Sequence, residues 1–153
     1  MVHRLDTSTV PVAVLARDEI AAVLLDSDDH RFVVFVPYEH GDWVAPGMTS
    51  GTPRRMREQQ EHRTAQEPLT GMSRRMFVAP TPHGEPETFG WFAVTGQAAS
   101  DALEVTVTSS METITEPIRE NGLTFALVRI RTGEQPEIRV RTQDGRSVVA
   151  HQP

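Results

Sequence analysis

Lysine is missing from this chain of 153 residues: all 15 basic residues are arginine, and asparagine occurs once, at Asn121. Lysine and asparagine codons are AT-rich, so a GC-rich genome accounts for both scarcities; selection against lysine modification is the functional alternative. Without lysine there is no Schiff base, no P-loop lysine and no Ser–Lys dyad. Cysteine is also absent, which removes disulfides, thiol nucleophiles and cysteine-ligated zinc. The longest apolar runs, Val12–Ala16 and Ile20–Leu25, are too short to cross a bilayer as a helix. The first ten residues, MVHRLDTSTV, lack the apolar core of a signal peptide. The chain therefore reads as cytoplasmic with no membrane contact, unless it is part of a longer secreted protein.

What is present is a period-two pattern. Val10, Val12 and Val14 alternate with smaller residues, and RFVVFVPY puts Phe32, Val34 and Val36 opposite Val33 and Phe35. FGWFAVTG, LEVTVTS, METITEPI, LTFALVRIR, EIRVRT and RSVVA continue it, each a short run rich in β-branched or aromatic residues. Asn121-Gly122 and Asp144-Gly145 are hairpin signals, because such pairs adopt the positive φ of type I′ turns at little cost. Nine to eleven strands at this spacing predict an all-β, antiparallel sandwich occupying residues 1–153 as a single domain. The layout of the last sixty residues resembles that of small immunoglobulin-like modules, without their Cys…Trp…Cys signature.

Between Gly47 and Met76 the alternation stops. Thr52-Pro53 is a helix-start signal, but only Met56 and Ala65 are apolar over residues 54–66, so no stripe exists to dock on a core. A long polar loop or a short helix is expected, an exposed Arg/Met-rich insertion over residues 48–73. Six arginines against three glutamates give the segment +3 in a chain of net charge −6. Arginine forks suit carboxylates and phosphates, and methionine suits adaptable contacts. Arg54, Arg55, Met56, Arg57, Arg74 and Arg75 are thus the candidate partner-binding residues of a non-enzymatic protein-interaction or regulatory module. Met76 is expected to begin the next strand. A solvated insertion tethered to the acidic body is the plainer alternative.

The second candidate is YEHGDW. Tyr38, Glu39, His40, Asp42 and Trp43 place an imidazole between carboxylates, as a small-ligand or hydrolytic site would, although a polar turn with Trp43 packed beneath it explains the same residues. A third reading is weak polyanion binding by the arginines. The acidic balance and the lack of aromatics in the segment argue against nucleic acid. DSDDH, Asp26–His30, reads as a turn because it lacks the glycine and distal glutamate of a calcium loop. The six histidines stand singly, so neither a metal nor another cofactor is expected. Pro80–Glu87 reads as a proline-rich connector. The partner is an unspecified protein, and a homo-oligomer through a free strand edge is a further option.

Overall fold

The computed structural model describes residues 2–3, 9–27, 30–39, 41–44, 49–53, 69–78 and 88–150; for 2–3, 49–53, 70 and 71 it describes the backbone. Among the described residues the protein is antiparallel β throughout, with one 3-10 turn and no helix long and apolar enough to cross a membrane. The chain forms two compact units, Met1–Arg57 and Glu58–Pro153.

In the first unit the strands are β1 (Val2–His3), β2 (Val10–Ala16), β3 (Ile20–Asp26), β4 (His30–Glu39), β5 (Asp42–Trp43) and β6 (Thr49–Pro53). They make one sheet in the order β1-β6-β4-β3-β2, with β5 paired to β4. Ile20, Ala22 and Leu24 on β3 meet Val33 and Phe35 on β4, and all five are buried. The opposite face sets half-buried Val23, Leu25, Val34 and Val36 beside buried Ala21 and Phe32. The two strands are tied at one end by Arg31, whose Nε and Nη2 donate to the buried carboxylate of Asp26 at 2.8 and 3.0 Å. The adjoining turn closes with Ser27 N donating to His30 O; Asp28 and Asp29 lie outside the described residues.

Strand β2 departs from the expected alternation. Its register against β3 shifts between Pro11 and Ala13, so Val12 is an extra residue. As a result Ala13 is the buried member, while Val10, Val12 and Val14 are exposed. Proline and a bulge belong on an edge strand, where no partner requires the missing N–H, and β2 is at the sheet edge.

The second unit holds β7 (Leu69–Phe77), β8 (Phe89–Ala98), β9 (Ala102–Thr108), β10 (Thr113–Pro117), β11 (Leu123–Arg131), β12 (Glu137–Thr142) and β13 (Ser147–Val149). A three-stranded sheet, β11-β8-β7, faces a four-stranded sheet, β10-β9-β12-β13. Phe92, Val94, Ala126, Val128 and Ile130 from the first share one buried cluster with Val105, Val107, Ile138 and Val140 from the second. This is the expected sandwich. An immunoglobulin constant-type domain sets its first, second, fourth and fifth strands against its third, sixth and seventh. Here the fourth strand, β10, has joined the sheet of the third.

That exchange decides what Asn121-Gly122 does. Both residues have positive φ, 58° and 78°, as the sequence indicates, but they do not join a hairpin. β10 pairs with β9, and β11 pairs with β8, so the turn carries the chain from one sheet to the other. Asp144-Gly145 does join a hairpin, β12–β13, though not through a type I′ turn. Only Gly145 has positive φ, and Thr142 N donates to Arg146 O at 2.9 Å, the signature of a three-residue loop ending in a glycine bulge. A further bulge between β9 and β12 leaves Leu103 as an extra residue, which explains why it is exposed although Val105 and Val107 of the same parity are buried.

The free edge of β11 is closed by side chains. Glu112 accepts from Arg129 N at 2.7 Å and Ser109 Oγ donates to Arg129 O at 2.5 Å. Glu134 accepts from Arg131 N, Ser110 N and Ser110 Oγ at 2.7–3.0 Å. The amide of Arg131, helped by Ser110, holds the Glu134 carboxyl below the usual glutamate range.

Candidate functional site

The Tyr38–Trp43 region is a tight hairpin rather than a plain turn. Tyr38 pairs with Trp43 and Glu39 with Asp42 across β4 and β5, and Gly41 takes the positive φ, 82°, that the reversal needs. Val44 N donates to Pro37 O at 2.8 Å, and Tyr38 N donates to Glu19 O at 2.9 Å. The first bond closes the hairpin and the second anchors it to the β2–β3 turn, Arg17 to Glu19, at the same end of the sheet.

Side chains of directly opposed residues share a face, and successive residues alternate. Tyr38 and Trp43 are therefore on one side of the hairpin and Glu39 and Asp42 on the other. The four described candidates are thus split between two sides of the hairpin, and His40 lies outside the described residues. Trp43 does not pack beneath the turn either. It is 47% exposed and Tyr38 44%, and their rings meet edge to face with centroids 4.9 Å apart at 64°. An aromatic pair in this geometry stabilises itself by about 0.5–1.5 kcal/mol beyond burial, which holds two large rings at the surface in one arrangement.

Val44, and elsewhere on the same sheet the β2 valines Val10, Val12 and Val14, are also exposed. Six of the ten exposed large apolar side chains among the described residues thus belong to the smaller unit. Pro11 within a valine run was the signal in the sequence that marked β2 as an edge strand.

The arginine candidates fare differently. Arg54, Arg55, Met56 and Arg57 lie outside the described residues, as does the connector Pro80–Glu87. The expected 48–73 insertion gives way to strand at both ends, Thr49–Pro53 and Leu69–Phe77. Leu69 and Ser73 are buried, and Met76 is the next-to-last residue of its strand rather than the first. Arg74 opposes Val94 and Arg75 opposes Ala93; adjacent strand residues point to opposite faces. The doublet is split, so it cannot present two forks to one anion. Arg74 Nη1 donates instead to Gln135 Oε1 at 3.2 Å, a tie to the β11–β12 connection.

Trp91 is 5% exposed and opposes Arg129. The Arg129 guanidinium lies 4.8 Å from the Trp91 ring and 5.0 Å from Phe89. No cluster of three or more His, Asp or Glu placed to hold a metal occurs among the described residues. Comparison with protein-family models, curated proteins and solved structures returns no match.

Proposed function

We propose that the protein is a non-enzymatic binding module that engages a protein partner through the exposed corner of its first unit, centred on Tyr38 and Trp43. The observation that carries this reading is the edge-to-face pair itself: two large rings, each nearly half exposed. Aromatic side chains fixed at a surface are the usual anchors of protein interfaces, since they add contact area and lose little side-chain entropy on binding.

Quantitative capture from native cells tests the reading. Trp43→Ala should remove the captured partner while leaving the circular dichroism spectrum unchanged. Undiminished capture by Trp43→Ala overturns the assignment. Deletion of residues 54–68 runs beside it: loss of capture in the deletion alone moves the contact to the Arg/Met-rich segment.

A further inference from the structure

We infer that the Tyr38–Trp43 corner recognises a cationic side chain, arginine or lysine, on its partner; this rests on the binding-module reading and names the partner's chemistry. Charge complementarity is the first ground. Among the described residues, Arg17, Asp18, Glu19, Glu39 and Asp42 gather at this end of the sheet, four carboxylates and one guanidinium with a formal sum of −3. Glu39 and Asp42 oppose each other across the hairpin, and like charges so placed repel. A cation over the rings lies across the hairpin from these carboxylates, close to the screening length of roughly 8 Å at physiological salt, so their attraction for it is partial and strongest at low salt.

The rings supply the second ground. An indole is the best of the aromatic acceptors for a cation over its face, and the edge-to-face arrangement keeps a face of the pair open rather than stacking both shut. The molecule contains a filled example of the same chemistry: Arg129 lies over Phe89 and Trp91. No described arginine lies over Tyr38 or Trp43. An apolar segment alone would use the rings but gain nothing from the carboxylates, and an acidic one would be repelled.

The indole N–H resonances give a direct test, with buried Trp91 as an internal control and Trp43 assigned by its loss in Trp43→Phe. Three synthetic peptides, acetyl-Leu-Xaa-Leu-Xaa-Leu-amide with Xaa as Arg, Gln or Glu, are titrated into the full chain. The Arg peptide should move the Trp43 signal and not that of Trp91, and bind about tenfold more tightly than the Gln peptide at about 50 mM salt. That preference should shrink several-fold in Glu39→Gln/Asp42→Asn and on raising salt to about 500 mM. Equal binding of the Arg and Gln peptides overturns the inference and leaves the binding surface standing. A Trp43 signal that no peptide moves, or one that moves with protein concentration alone, also overturns it; the latter means that a second copy occupies the corner. Failure of the broader reading is a separate result, seen when Trp43→Ala leaves partner capture intact.

Discussion

The two units are written in the same valine- and threonine-rich alternation, yet they dispose of their apolar residues in opposite ways. In Glu58–Pro153 the inward residues of two sheets close on one another, and the exposed edge of β11 is capped by Glu112 and Glu134. In Met1–Arg57 one face of the sheet is buried, while valines on the edge strand and two aromatic rings at the hairpin stay at the surface. Among the described residues, six large apolar side chains are exposed in the first unit and four in the larger second unit. The difference teaches that strand patterning alone does not separate scaffold from contact surface. The separation comes from where bulges and edges fall.

The comparison breaks most visibly under truncation. Phe92, fully buried between the sheets, should cost about 3–5 kcal/mol as Phe92→Ala, whereas Val14→Ala, at a position 55% exposed, should change stability by no more than about 0.5 kcal/mol. Urea titration of the two variants measures the contrast, and equal losses would erase it.

Close backbone approach gives a second test in the sandwich. A Cβ at Gly90 would stand 2.7 Å from Phe77 O and 2.9 Å from Val78 Cγ2. The backbone of β7 must shift to admit it, so Gly90→Ala should destabilise by about 1–3 kcal/mol in the same titration. In the first unit, Arg31→Met leaves the buried Asp26 carboxylate without its fork, at a cost of about 1–3 kcal/mol. Thermal unfolding of this variant reads the loss.

Acid provides a gentler test. The Glu134 carboxyl titrates below its ordinary value of 4.5, chiefly through the Arg131 amide. The unfolded chain therefore takes up this proton first as pH falls. The bond contributes fully above about pH 5 and is lost as pH drops through the depressed folded value. Protection of the Ser110 and Arg131 amides, taken relative to their intrinsic exchange rates, should fall in the native protein as pH drops through the depressed Glu134 value, and Glu134→Gln should show the lower protection already at neutral pH. No change at either amide would remove Glu134 as the cap of β11.

Much of this was legible in the residues. Period-two runs located β2, β3, β4 and β8 to β13 to within a few positions, because alternation and β-branching report a half-buried pleated surface directly. Strands β1, β6 and β7 were missed because their residues carry little apolar alternation. Sheet membership was not legible. Positive φ at Asn121-Gly122 serves a hairpin and a crossover between sheets equally well, and only the tertiary pairing chooses between them. Bulges escaped for a related reason: one extra residue at Val12 or Leu103 reverses which side chains face inward without altering composition. The aromatic cluster was visible as a cluster, but its exposure was not, since a tryptophan beside a turn packs under it or stands beside it on the same sequence. The doublet Arg74-Arg75 misled because adjacency in sequence on a strand means separation in space.

The account stands or falls on the corner of the first unit, and the most direct measurement compares partner capture with folding stability in Trp43→Ala. The predicted result is capture reduced to background in a variant that stays folded and loses only about 0.5–1.5 kcal/mol of unfolding free energy with the aromatic pair. Capture at the native level with that stability retained would contradict it.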